Sequence, residues 1–340
     1  MQNSDEMDFE EFKRHYQEVP VEEYPNNVLG AVPEPMVSVH VSTYQHADFI
    51  RDCLDGVVMQ ETDFPVEIIV GEDDSDDRTR EICKGYADEH PDKIRLFLHR
   101  RENNIKIHGR PTGRFQFTYS QFVARGRYIA TCEGDDYWTD PMKLQKQVEF
   151  LETNKNYSYC YHPFHRVFDG ENNKRTKTKN ESWAATSTLL FRNIIKKLPS
   201  IYFNIIHADT FLKRRLELDG KCYRICEIEP SIYRIHDGGI YGGHKNIRKK
   251  FEVIRSNAIM LRYFENTKVE KKIEKHIIDF LIKMLNLSSI YNFNYVLNSL
   301  RVLNKVGIKK RIIYPTIKTE IGKFLPHSLV NYIRTLRSHE

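Results

Sequence analysis

The stretch Tyr128-Ile129-Ala130-Thr131-Cys132-Glu133-Gly134-Asp135-Asp136 passes directly from an apolar run into a cluster of carboxylates. A short run such as Tyr128 to Cys132 suits a buried strand, and its abrupt end on charge puts Glu133 at the strand's carboxyl edge. Upstream, similar runs recur with helical segments between them. Val37, Val39 and Val41 open a strand that ends at Ser42-Thr43-Tyr44, and Ile50, Cys53, Leu54, Val57 and Val58 then recur at helical spacing. Val66 to Val70 is the next strand and stops at Gly71-Glu72-Asp73-Asp74-Ser75-Asp76-Asp77. A helix over about Arg78 to Glu89, a strand over Ile94 to Leu98 and a helix near Phe115 to Arg125 lead back to the opening stretch. Beyond it, Asp140 and Pro141 form a cap and first-turn proline for a helix bearing Leu144, Val148 and Leu151. Strands alternating with helices predict an α/β fold built on a mostly parallel, doubly wound sheet. From about Tyr157 to Tyr241 the pattern turns to short strands and loops, and beyond Lys245 it is mainly helical.

Open sheets of this kind bind ligands in a crevice at the carboxyl ends of their strands. Glu133, Asp135 and Asp136 hold like charges close together, which raises their pKa values. A bound divalent cation, Mg2+ or Mn2+, removes that conflict and takes such hard oxygen ligands. Gly134 allows a sharp turn there. The competing reading is a solvated acidic turn capping the helix after Pro141, and spacing alone does not separate the two. For the second cluster, Asp73, Asp74, Asp76 and Asp77, the simpler reading is that Ser75 or Asp76 caps the next helix. The pairing favours ligand binding, since two acidic loops at strand ends of one sheet open onto the same crevice.

Five segments, in order, carry a family resemblance: Val39-His40-Val41-Ser42-Thr43-Tyr44; Glu67-Ile68-Ile69-Val70-Gly71-Glu72-Asp73-Asp74-Ser75; Arg125-Gly126-Arg127-Tyr128-Ile129-Ala130; Glu133-Gly134-Asp135-Asp136-Tyr137-Trp138; and Tyr233-Arg234-Ile235-His236. The span from Val37 to about Gly243 resembles the family 2 glycosyltransferases of GT-A fold. The resemblance implies an inverting enzyme that moves a sugar from a nucleoside-diphosphate donor to a hydroxyl of a saccharide or lipid-linked acceptor, in surface polysaccharide or glycoconjugate synthesis. By the same resemblance, Thr43 and Tyr44 line the base pocket and Asp73 accepts a hydrogen bond from the base, which favours uracil. Asp135, aided by Glu133 and Asp136, holds a Mn2+ or Mg2+ ion that bridges the donor's phosphates, and His236 completes that contact. Asp209, in His207-Ala208-Asp209-Thr210, matches the general base; its other reading is the N-cap of the helix carrying Phe211, Leu212, Leu216 and Leu218. Arg110 and Arg114 are candidate diphosphate contacts, since a guanidinium engages phosphate oxygens in a bidentate fashion. Two positions depart from the family pattern: Asp74 stands where a small residue is usual, and Glu133 where the first aspartate of the metal motif is usual.

The resemblance divides the chain into an acidic N-terminal lead-in at 1–35, a catalytic domain at 36–243 and a basic helical region at 244–340. Residues 1–35 carry nine acidic and two basic side chains; residues 241–340 carry twenty basic and seven acidic. Prolines 20, 25, 33 and 35 suggest a loosely attached lead-in. No secretory signal or long apolar run is present, so a cytoplasmic protein is expected. The six scattered cysteines read as reduced, packed thiols. Helical spacing at Ile254, Ile259, Leu261 and Phe264, and again at Ile277, Ile278, Leu281 and Leu285, predicts a small helical pack. Lys309, Lys310, Arg311, Lys323, Arg334 and Arg337, with Phe324, Leu325, Tyr332 and Ile333, suggest peripheral contact with anionic membrane. Nucleic-acid binding fits the basic tail but not the acidic strand ends, so no nucleic acid is expected. A nicotinamide enzyme lacks its glycine motif after the first strand. An inactive sugar-nucleotide-binding relative shares every motif above.

Overall fold

A computed structural model describes residues 5–107, 109–168, 175–177, 184–236, 247–286, 298–299 and 302. The chain forms two compact units, one of residues 1–204 and 208–244, the other of residues 205–207 and 245–340.

The first unit is built on an eight-stranded sheet. Its strands are β1 (Glu22–Glu23), β2 (Val37–Thr43), β3 (Val66–Glu72), β4 (Ile94–Leu98), β5 (Tyr128–Glu133), β6 (Tyr157–Tyr161), β8 (Leu190–Arg192) and β9 (Lys221–Arg224); β7 (Phe164–Phe168) and β10 (Ser231–Ile235) pair in a smaller sheet. The spatial order is β9-β6-β8-β5-β2-β3-β4-β1. At the centre β5, β2, β3 and β4 are parallel, while β8 runs antiparallel to both β5 and β6, and β1 antiparallel to β4. Val39, Val41, Ile68, Val70, Leu96, Ala130 and Cys132 are at most 2% exposed, as strands covered on both faces require. β2, first of the parallel set in sequence, lies between β3 and β5. The order therefore reverses at β2, and a crevice opens beyond the carboxyl ends of β2, β3 and β5.

Helices α2 (Ile50–Val58), α3 (Thr79–Glu89), α4 (Arg114–Val123), α5 (Lys143–Thr153) and α6 (Ala208–Asp219) fall where periodicity places them. Their starts differ in detail. α5 begins at Lys143, after Pro141, although the Asp140 carboxylate still accepts from the Met142 amide at 2.8 Å. Neither Ser75 nor Asp76 caps α3: Arg78 precedes it with φ 78°, and the side chain that reaches the Thr79 amide is Asp77, at 3.1 Å.

The Arg125-Gly126 pair secures the start of β5. Arg125 and Ser38 both bond the buried Glu67 carboxylate, at 2.6 Å each, and the Gly126 amide donates to Ser38 Oγ at 2.7 Å. A Cβ on Gly126 would lie 2.4 Å from the Ser38 nitrogen, so only glycine fits.

The lead-in is docked, contrary to the loose attachment its composition suggests. Helix α1 (Phe9–Tyr16) has a reciprocal capping box between Asp8 and Glu11, and its Phe12 is fully buried against Phe115 and Phe203. The aromatic face of a short helix outweighs the four prolines. Further along, β1 adds to the sheet edge, where Glu23 pairs with Arg95 at 2.8 Å. Cys53, Cys83, Cys132 and Cys160 are buried free thiols, Cys222 is half-buried and Cys226 exposed.

In the second unit, α7 (Ile247–Tyr263) and α8 (Glu270–Asn286) pack through Ile254, Leu261, Phe264, Ile277 and Leu281, all buried. No helix among the described residues is long and apolar enough to cross a membrane. The basic cluster from Lys309 to Arg337, with its proposed membrane contact, lies outside the described residues.

Candidate functional site

β5 delivers Glu133 to the crevice, and the turn Glu133–Asp136 is then fixed from two sides. The Gly134 amide donates to Ser42 O at 2.8 Å, tying the turn to the end of β2. Tyr137 exchanges backbone bonds with Ile232, at 3.2 and 2.9 Å, tying it to β10. Gly134 is needed for space, since its φ is not in the left-handed region: a Cβ there would lie 2.6 Å from Thr43 Oγ1 and 2.8 Å from His46 Nδ1.

The bridge to β10 brings His236 to the turn. Its Nε2 lies 3.1 Å from Asp135 Oδ2. Burial opposes ionisation of Asp135, but the His236 hydrogen bond and the field of His46 outweigh it and hold the carboxyl below its usual range. Glu133 moves the other way, pushed up to about 8 by burial and by the charges of Asp135 and Asp209, with Lys213 opposing. Asp136 points inward at 1% exposure: Oδ1 accepts from the Arg234 amide at 3.0 Å, while Oδ2 is buried with no partner among the described residues. Burial and the two neighbouring carboxylates raise its pKa well above the usual range. The donor atoms of Glu133, Asp135 and Asp136 lie within 4.8 Å of one another, and so do those of His46, Asp135 and His236. A crowded carboxylate trio, an orphaned buried oxygen and two adjacent imidazoles together fit a divalent cation.

Asp209 lies in the first turn of α6, inside the helix rather than at its N-cap. Its Oδ2 meets Lys213 Nζ at 2.8 Å, one turn on, and that ammonium also donates to Ala184 O at 2.9 Å. Asp209 and Lys213 both act on the Glu133 carboxyl, so they face the acidic turn.

The second acidic loop does two jobs. Asp73, 3% exposed, bonds Arg101 Nη1 at 2.6 Å and Asn104 Nδ2 at 3.1 Å, and burial pushes its carboxyl up to about 6 against the pull of both. The Arg101 guanidinium also lies over the exposed Tyr44 ring, 4.0 Å from its centroid, so Tyr44 and Asp73 meet through Arg101. The rest of the loop clamps the chain after Tyr44: Ser75 Oγ accepts from the Gln45 amide at 2.9 Å, Thr79 Oγ1 from His46 at 2.8 Å and Asp77 Oδ2 from Ala47 at 3.0 Å. Asp74 takes φ 63°, a left-handed conformation aspartate tolerates, which accounts for a small residue being usual there.

Arg114 is 5% exposed, donates to Tyr202 O at 3.3 Å and lies over the Tyr202 ring. Arg110 is exposed on a two-residue strand paired with Lys106–Ile107. His46, Arg101, Asn104 and Lys213 were not singled out as site residues from the sequence. Only the offset from Asp209 to Lys213, one helical turn, was a readable signal.

A mixed sheet with a parallel centre, reversed at β2 and carrying an acidic turn, a histidine and a facing aspartate at one edge, defines a GT-A-type sugar-nucleotide fold. The model for glycosyl transferase family 2 matches residues 38–216, more than half of the chain, and the chain belongs to that family. It is 33% identical over 236 residues to an uncharacterized protein of Mycobacterium tuberculosis, the match covering 66% of this chain and 65% of that one. The chain thus spans less than two thirds of the length of that relative. It is 26% identical over 234 residues to the Escherichia coli UDP-Glc:alpha-D-GlcNAc-diphosphoundecaprenol beta-1,3-glucosyltransferase WfaP, covering 66% of this chain and 87% of the other. Among solved structures, S. aureus TarS 1-349 in complex with UDP-GlcNAc superposes with a TM-score of 0.58 at 16% identity, over 88% of this chain and 87% of that chain.

Proposed function

We propose that the chain is an inverting, cation-dependent glycosyltransferase that moves a sugar from a uridine-diphosphate donor to a hydroxyl of a saccharide or lipid-linked acceptor. The observation that carries this reading is the convergence at one sheet edge of Asp135 with His236, the Asp73–Tyr44 pocket, and Asp209 facing Glu133. The UDP-Glc donor and diphosphoundecaprenol-linked acceptor of WfaP support the uridine donor and the lipid-linked acceptor class.

In this reading Tyr44 stacks on the base and the Asp73 carboxylate accepts the uracil N3–H, with Thr43 at the floor of the pocket. Asp135 and His236, with Asp136 beside them on the same turn, would hold Mn2+ or Mg2+, and a cation there would supply positive charge to stabilise the departing diphosphate. Asp209 takes the proton of the attacking hydroxyl, and Lys213, bound to the same carboxylate, fixes its orientation. Glu133, whose carboxylate lies within 4.8 Å of those of Asp135 and Asp136, would aid them in holding the cation.

The test is release of UDP from a panel of UDP-sugars, with Mn2+, Mg2+ or EDTA. Turnover of at least one donor with Mn2+ or Mg2+, abolished by EDTA, is expected. Turnover unaffected by EDTA contradicts the cation's role, and no turnover or binding of any uridine nucleotide contradicts the reading as a whole.

A further inference from the structure

His46 has no role in the proposal above, yet it is the second imidazole beside Asp135. One nitrogen of His46, one of His236 and a carboxylate oxygen of Asp135 lie mutually within 4.8 Å, and the two rings stand 6.2 Å apart at a steep angle. That placement is built. Three consecutive amides, of Gln45, His46 and Ala47, are held by Ser75, Thr79 and Asp77. The Thr43 hydroxyl steadies the ring at 3.2 Å from Nδ1, as outer partners steady ligating imidazoles. The missing side chain at Gly134 lets the ring lie against the acidic turn.

We propose that His46 is a third protein ligand of the ion assigned to Asp135 and His236, and that this set of two imidazoles and one carboxylate selects Mn2+ over Mg2+. The inference rests on the cation reading of the same site. Imidazole nitrogen suits first-row transition ions, whereas Mg2+ keeps oxygen ligands and water. Three protein ligands would leave the ion's remaining positions to diphosphate oxygens and water.

The full chain loaded with Mn2+ and UDP and measured by pulsed electron paramagnetic resonance distinguishes the outcomes. Wild type should show coupling to two imidazole nitrogens; His46→Asn and His236→Asn should each show one. His46→Asn should also weaken Mn2+ binding by about 10-fold or more and reduce the preference for Mn2+ over Mg2+, with its melting temperature in EDTA reporting that it folds. Should His46→Asn unfold, wild type and His236→Asn decide: one nitrogen coupling in wild type, or two that persist in His236→Asn, overturns the assignment. Unchanged coupling in a folded His46→Asn does the same while leaving the cation reading intact. No Mn2+ binding to wild type, with or without UDP, overturns the cation reading itself.

Discussion

The two acidic loops at the carboxyl edge of the sheet look alike in sequence and differ in what their carboxylates face. In the turn after β5, the charges converge: Glu133, Asp135 and Asp136 lie within 4.8 Å of one another, and burial and the charge of Asp135 raise the pKa of the other two. In the loop after β3, the charges are dispersed onto donors: Asp73 on Arg101 and Asn104, Asp74 on Arg80 and Arg100, Asp77 on Thr79 and Ala47. In the proposed reading, the unresolved repulsion marks the site that a cation would complete, whereas the satisfied carboxylates mark a scaffold. Equal densities of aspartate therefore do not imply equal chemistry.

The contrast is broken most severely at Asp135. Asp135→Asn should lower the rate of sugar transfer about 10³-fold, measured as UDP release, while UDP binding in EDTA stays unchanged. Asp209→Asn should lower transfer about 10²-fold with the donor's affinity intact; unchanged turnover would remove Asp209 as the base. At the dispersed loop the effects are on binding and stability. Asp73→Asn should weaken UDP about 10-fold, a loss of about 1.4 kcal/mol as expected for one hydrogen bond to a charged group.

Asp73 also sets a pH dependence. Burial raises its pKa in the folded chain to about 6, above the ordinary value of 3.8, so ionised Asp73 costs stability. The stabilising contribution of the protonated form is full below 3.8 and is lost as pH rises through about 6. UDP needs the ionised form, so its affinity should fall as pH drops below about 6 and level off above it. Asp73→Asn should flatten that dependence, and calorimetric titration between acid and neutral pH checks it. The smallest effect is expected at Asp77, which braces the chain around His46: Asp77→Ala should cost about 1 kcal/mol, read as a drop in melting temperature of ~2–4 °C.

The central sheet was legible because its strands are buried on both faces and stop abruptly on charge, so Val37 to Thr43 and Tyr128 to Glu133 announce themselves. The docking of the lead-in was not: one buried aromatic, Phe12, decides it, and prolines and acidic residues on either side hide that signal. At the site, Asp135 and His236 were readable as a pair only through the ordered resemblance, since the backbone bridge between Tyr137 and Ile232 joins residues far apart in sequence. Arg101 and Asn104 lie in an irregular segment with no periodicity to project from. His46 depends on side-chain bonds from the Asp73 loop, which no local pattern encodes.

Calorimetric titration of UDP into the full chain, with Mn2+ and again with EDTA, tests the central contrast most directly. A cation platform at Asp135 predicts UDP affinity about 10-fold or more higher with Mn2+, and no such gain in Asp135→Asn. Equal affinity with Mn2+ and with EDTA in the wild type would contradict it.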